Sequence, residues 1–226
     1  WKEFNCFVKK ADKVFEEVKL QYQKYSDTLS SANESELETD WIRILFKKLG
    51  YFHIPQPSDY KNKFPDHALY PSEEEKIQAK RHKHNSASFY HNCIAIEESK
   101  VWSRDLKKFD PNEQRDERTN PATQIMNYLR STNVRFGILT NGKYWRLYDY
   151  TDDEQRYFEV DLEEIVKSGS KKDFSIFFFI FEKSNLQSKE KRCRLDSIIE
   201  KSNEFSISIT EKLKDQVFKF ALPCLI

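Results

Sequence analysis

Apolar residues recur at spacings of three and four through residues 2–25, where Phe4, Phe7, Val8, Ala11, Phe15 and Val18 alternate with Lys and Glu. That period predicts a helix with one packing face. Small polar residues at 26–31 break it. A second helix is expected from about Ser31 or Asn33, either of which can cap it. Glu34, Glu36 and Glu38 fall in its first turns, where the helix dipole favours negative charge. Trp41, Ile42, Leu45, Phe46 and Leu49 form its apolar face, and Gly50 ends it. Residues 51–63, with Pro55, Pro57 and Ser58-Asp59, read as loop. Residues 64–70 read as a short strand with Pro65 at its start. The polar stretch 71–88 is either a helix with charged faces or an insertion.

A central strand is expected within residues 89–102. Cys93, Ile94, Ala95 and Ile96 are apolar, and Glu97, Glu98 and Lys100 follow. Strand alternation puts Ile96, Glu98 and Lys100 on one side and Glu97 and Ser99 on the other. After a charged loop, Asn120-Pro121 has the cap and first-position chemistry of a helix start. Gln124 and Tyr128 then share a helical face one turn apart. Residues 134–140 and 144–150 read as a hairpin turning at Asn141-Gly142. A strand at 157–160, a helix at 162–167 and a core helix at 174–181 follow. Residues 188–226 read as one or two amphipathic helices, with Leu195, Ile198, Ile199 and later Leu213 and Val217 on the apolar face.

Composition adds bounds. The 226 residues carry 38 Lys+Arg against 37 Asp+Glu, so the net charge of +1 does not announce a nucleic-acid partner. A local basic face remains compatible with that balance. The apolar run at 176–181 is far too short to span a bilayer, and no signal peptide is visible. Cys6, Cys93, Cys193 and Cys224 are scattered without a Cys-x-x-Cys pair, which argues for ordinary thiols in a reducing cytoplasm. His82 and His84 lie in a basic run without further ligands nearby, so the run reads first as solvated charge, with a phosphate-backbone contact as its functional alternative and zinc disfavoured. The chain begins at Trp1 and ends on an apolar stretch, so a piece of a longer protein is expected.

The candidate chemistry lies in residues 64–128. Asp66, then Glu98 beside Lys100 on an apolar strand, offers two carboxylates and an ammonium converging on one point. Hard oxygen ligands hold Mg²⁺ while leaving it partly hydrated. Such an ion activates water and neutralises phosphoryl oxygens, which is the chemistry of a metal-dependent nuclease. Asp66 and Glu98 are the expected ligands, with the backbone carbonyl of Ser99 as a third oxygen. Lys100 would orient or polarise the water. The competing reading of Glu98 and Lys100 is an ion pair at a strand end, worth little. For Glu34 the choice lies between a surface residue that suits the dipole and a carboxylate reaching the metal.

The chain resembles the PD-(D/E)xK nuclease superfamily, in the RecB-like branch that carries Gln-x-x-x-Tyr. More narrowly, it resembles the amino-terminal nuclease region of type IIG restriction–modification enzymes. The likeness rests on Asn33-Glu34, Leu49-Gly50-Tyr51, residues 64–70, residues 94–102 (Ile-Ala-Ile-Glu-Glu-Ser-Lys-Val-Trp), residues 124–129, 137–148 and 157–162. It implies an α/β, restriction-endonuclease-like core: a central mixed β-sheet flanked by helices, plus a C-terminal helical connector. It also implies Mg²⁺-dependent cleavage of double-stranded DNA, with Mn²⁺ as a substitute. By the same resemblance Asp66, Glu98 and Lys100 are the catalytic set, Glu34 is the family's helix glutamate, and Gln124 and Tyr128 form the helix motif near the DNA. A nuclease domain at 1–185 and a connector at 186–226 toward absent methyltransferase and target-recognition regions complete the picture. Cutting both strands then calls for transient pairing with a second copy. The long charged segment between Tyr70 and Phe89 departs from the pattern and widens the spacing from Asp66 to Glu98. Two alternatives stand beside this reading: the nuclease portion of a type I-like ATP-driven complex, and a non-catalytic DNA-binding module of the same fold.

Overall fold

The computed structural model describes residues 2–55, 64–107, 120–151, 157–187 and 192–202. Helix α1 spans Lys2–Leu29, as its periodicity predicts. Asn33, not Ser31, caps the next helix, and it forms a reciprocal capping box with Glu36. That helix runs as α2 (Glu34–Leu37), then a π turn over Glu38–Ile42, then α3 (Arg43–Lys48). The π turn is closed by the Arg43 N–H donating to the Glu38 carbonyl, and such turns recur at functional sites. Gly50 follows at φ +91, the left-handed conformation that ends a helix cheaply only with glycine.

The stretch expected to be loop contains a strand, β1 (Phe52–Pro55). Four residues are too few to show alternation, and Pro55 is tolerated because β1 lies at the sheet edge. The next expected strand is shorter than its sequence suggests. β2 covers His67–Tyr70 only, leaving Phe64, Pro65 and Asp66 outside the ladder. The charged segment is helical: α4 (Glu73–Arg81), capped by Ser72, and α5 (Ser86–Tyr90). The central strand β3 is Ala95–Ser99, every residue of it buried. Helix α6 (Pro121–Thr132) begins at the expected Asn120 cap and connects β3 to β4 (Phe136–Thr140). β5 (Tyr144–Asp149), β6 (Tyr157–Asp161), α7 (Leu162–Ser168) and α8 (Lys171–Phe181) complete this unit.

The hairpin turns one residue later than Asn141-Gly142 implies. The Asn141 N–H donates to the Tyr144 carbonyl at 3.4 Å, which leaves Gly142 and Lys143 as the loop. Asn141 is occupied otherwise. Its Oδ1 accepts from the Lys143 and Tyr144 N–H groups, and its Nδ2 donates to the carbonyls of Trp102 and Arg104. The turn thereby pins the chain just beyond β3.

The six strands lie in sequence order, antiparallel except for the parallel β3–β4 pair that α6 bridges. The fold is therefore α/β with a mixed sheet between helices, as a restriction-endonuclease-like core requires. On one face Ala68, Tyr70, Ile96 and Leu139 pack with α4, α5 and α6. On the other, Trp145 meets Phe46, Phe177 and Phe181, while Phe7 and Phe15 join α1 to α8. A Cβ at Gly137 would lie 2.9 Å from both Ile125 and Leu129, so α6 sits directly on the strand. Gly137→Ala is expected to destabilise the protein by about 1–3 kcal/mol through overpacking. Urea denaturation measures this, and a loss below about 0.5 kcal/mol, the range of a neutral surface change, would refute the close seating of α6.

The chain divides into two compact units, Trp1–Ser184 and Asn185–Ile226. In the second, residues 196–202 are helical, and the Arg194 N–H donates to the Asn185 carbonyl. The remainder of the amphipathic stretch expected beyond residue 202 lies outside the described residues.

Candidate metal centre

β3 delivers Glu98 to the α6 face of the sheet, and Lys100 leaves the strand just beyond it. The Lys100 N–H donates to the Thr140 carbonyl, so the backbone keeps its place beside β4 for one further residue. Lys100 Nζ lies 2.5 Å from Glu98 Oε1 and 3.9 Å from Glu34 Oε1. Only 12% of the Lys100 side chain and 4% of the Glu98 side chain are exposed, so this is not a surface ion pair. Glu98 Oε2 is buried with no hydrogen-bond partner among the described residues. An orphaned carboxylate oxygen costs heavily unless something else binds it.

Asp66 sits one residue before His67, whose cross-strand partner is Glu97, and this brings Asp66 beside the end of β3. Its Oδ2 accepts from the Ser99 N–H at 2.7 Å and from the Ser99 hydroxyl at 3.2 Å. That hydroxyl is also 3.3 Å from Glu38 Oε1. A hydroxyl has one proton and can serve only one of these carboxylates at a time. Glu34, Glu38 and Asp66 each place one oxygen within 4.8 Å of the others. Adjacent oxygens on a bound Mg²⁺ stand about 2.9 Å apart, so side-chain movement would be needed for this set to share one ion. Glu34 and Glu38 are one helical turn apart, an arrangement that opposes helix formation without a cation between them.

The structure thus brings Glu98, Lys100 and Glu34 together, and Asp66 with Ser99, Glu34 and Glu38. Gln124 and Tyr128 are joined as well, the Gln124 amide donating to the Tyr128 hydroxyl at 3.1 Å. Gln124 Oε1 is buried without a partner among the described residues. Sequence reasoning passed over Glu38 as a dipole residue. Its helical spacing of four from Glu34 was the available signal. It also passed over Arg43, His67 and Glu97, which contact one another behind the centre.

Burial raises the Glu98 carboxyl well above the usual range, and the Asp66 charge adds to that against the pull of Lys100. Burial also raises Glu97, with Asp66, Glu38 and Glu34 adding to it. For Lys100 burial acts downward, but Glu98 and Glu34 outweigh it, and the ammonium is held above its ordinary value. Tyr128 is pushed up to about 12 by burial and then by Glu98, so it stays a neutral phenol with a proton to donate. An unfolded Glu titrates near 4.5, and both buried carboxyls titrate higher when folded. Their contribution to stability is full below about pH 4.5 and is lost as pH rises through the folded values. In chelator, the melting temperature is therefore expected to be higher at pH 6 than at pH 8. Mg²⁺ held by the ionised carboxyls would narrow that gap. Equal melting at both pH values in chelator would count against the raised carboxyls.

A family model described as MmeI, N-terminal domain, matches residues 14–219. The chain belongs to that family. No curated protein and no solved structure matches the chain. The MmeI N-terminal domain is the nuclease region of a type IIG restriction enzyme, which is the narrower resemblance drawn from the motifs. The match covers α2, the π turn, β2, β3 and α6, and so contains every residue of the candidate centre. Among the described residues, no helix is long and apolar enough to cross a membrane.

Proposed function

We propose that this chain is the Mg²⁺-dependent endonuclease domain of a restriction–modification enzyme, hydrolysing phosphodiester bonds in double-stranded DNA. The observation that carries the reading is the Lys100 ammonium between Glu98 and Glu34, beside an unpartnered Glu98 oxygen and the Asp66 carboxylate. Asp66, Glu98 and Glu34 are the residues that would hold the cation, with the Ser99 carbonyl as the further oxygen. The donor set is all oxygen and rich in charge, which suits Mg²⁺ or Mn²⁺. Once bound, the ion supplies charge neutralisation at the phosphoryl oxygens and a more acidic water. Lys100, held as an ammonium, donates hydrogen bonds to the phosphoryl oxygens or the attacking water and offsets developing charge. Tyr128, kept protonated and tied to Gln124, presents a phenol at the edge of the same site and orients the DNA backbone.

Membership of the MmeI family supports a fused methyltransferase and target-recognition region over an ATP-driven partner, with residues 186–226 as the connector. Cutting both strands then uses transient pairing with a second copy, and the enzyme works in the prokaryotic cytoplasm. Incubation of the chain with duplex DNA tests the reading. Cleavage is expected with Mg²⁺ or Mn²⁺, and none with chelator or in Lys100→Ala. Mn²⁺ binding by the chain gives a second readout that does not require the recognition region. DNA binding with neither Mn²⁺ binding nor cleavage would favour the non-catalytic module.

A further inference from the structure

Glu98 and Lys100 occupy the α6 face of the sheet, but a buried polar chain runs along the opposite face. Arg43, the first residue after the π turn, donates through Nη2 to Glu38 Oε2 at 2.7 Å. Its Nε donates to His67 Nε2 at 3.0 Å. A guanidinium has donors only, so His67 Nε2 must be the accepting nitrogen. The imidazole proton then sits on Nδ1, which faces Glu97 Oε2 at 2.6 Å. His67 and Glu97 are cross-strand partners, both fully buried. The connection from Glu38 through Arg43 and His67 to Glu97 is therefore continuous, with Arg43 donating both to Glu38 and to His67, and His67 donating onward to Glu97.

Stability does not account for this arrangement. Phe46 and His53 pack against the His67 ring, so the surroundings favour apolar side chains. Replacing a buried ionic set of this kind by apolar residues is often neutral or stabilising. What the set does achieve is orientation. Arg43 Nη2 holds Glu38 Oε2, and the imidazole, accepting from Nε, holds the guanidinium in place. Glu38 in turn stands against Asp66 across a Ser99 hydroxyl that can satisfy only one of them.

We propose that Arg43, His67 and Glu97 form a positioning relay that holds Glu38 as an additional carboxylate of the cation site. The inference rests on the metal-dependent reading given above. Glu38 would hold the cation directly, while Arg43, His67 and Glu97 act through Glu38. Metal ligands depend on partners of this kind, whose loss weakens metal affinity by about 10–100-fold.

The test is a Mn²⁺ titration of the 226-residue chain, followed by the spectroscopic signal of free Mn²⁺. Wild type is compared with Glu38→Gln and Arg43→Lys, and melting in chelator serves as the control for folding. Glu38→Gln keeps an amide within reach of Arg43 and Ser99, and Arg43→Lys keeps the charge. A lysine nitrogen has no fixed fork, so Glu38 Oε2 and His67 Nε2, 3.6 Å apart, lose the rigid pair of donors that spans them. Both variants are expected to bind Mn²⁺ about 10–100-fold more weakly, at unchanged stoichiometry for Arg43→Lys and without early melting for Glu38→Gln. Should Arg43→Lys melt early, Glu38→Gln alone decides. Wild-type affinity in a folded Glu38→Gln overturns the proposal while leaving the cation reading intact. Absence of Mn²⁺ binding by wild type overturns both.

Discussion

Replacing Glu98 by Gln is expected to lower Mg²⁺-dependent DNA cleavage by on the order of 10³-fold, at nearly unchanged stability. The two halves of that expectation have the same origin. Glu98 is 3% exposed, and burial with the Asp66 charge favours its neutral form. An uncharged amide of the same shape relieves that penalty, and Lys100 keeps Glu34 as a carboxylate partner, so the two changes offset each other in the empty site. In chelator the variant should show a smaller fall in melting temperature between pH 6 and pH 8 than wild type, because one of the raised carboxyls is gone. Catalysis needs the opposite property. Only the ionised carboxylate can hold a divalent cation and balance Lys100, whose Nζ lies 2.5 Å from Glu98 Oε1. Removing a single preorganised electrostatic group from an active site costs about 10²–10³-fold, and loss of a metal ligand adds to that. Duplex cleavage followed over time with Mg²⁺ measures the effect. Activity within tenfold of wild type would remove Glu98 from the chemistry and leave the 2.5 Å pair as a structural contact.

Much of this centre is written locally in the chain. β3 could be found because an apolar run stops abruptly at two glutamates and a lysine, a sequence that makes sense only when the charges meet a partner at a strand end. Asn120-Pro121 marks the start of α6 unambiguously, and with it the shared face of Gln124 and Tyr128. Other features depend on partners distant in sequence. β1 exists because its four residues pair with β2, and a four-residue alternation carries no signal of its own. The turn at Gly142-Lys143 is displaced because the Asn141 side chain holds Trp102 and Arg104, far away in the chain. Glu38 looked like an ordinary first-turn acid. Its burial is set by Arg43, by Ser99 and by a π turn for which the sequence offers no marker. Residues that form a motif were thus legible together, whereas the buried residues packed behind them were not.

Trp41→Ala is expected to cost about 3–5 kcal/mol of folding stability, the upper range for emptying a core site. Trp41 is fully buried, lies edge-on to Tyr22 of α1 at 5.8 Å, and belongs to the π turn that begins at Glu38. Its Nε1 donates to the Gly142 carbonyl at 2.8 Å. Trp145 Nε1 donates to the same oxygen at 3.1 Å, so two indoles from different elements fasten the tip of the hairpin. Gly142 has φ +82, and a Cβ there would lie 2.9 Å from Trp102 and 3.1 Å from Leu37, so the tip is closely packed as well as hydrogen-bonded. The cavity should stay, and its full cost with it. A domain of this size has about 5–15 kcal/mol in all, so the variant would lose at least about a fifth of that. Trp41→Phe separates the contributions. It keeps most of the ring packing and gives up the hydrogen bond, for about 1 kcal/mol from that bond plus a smaller packing loss. Urea denaturation in chelator orders the three proteins. If Trp41→Ala lost less than about 1 kcal/mol, the π turn would have to be held by the ion pair of Glu38 with Arg43, contrary to the modest worth of such pairs.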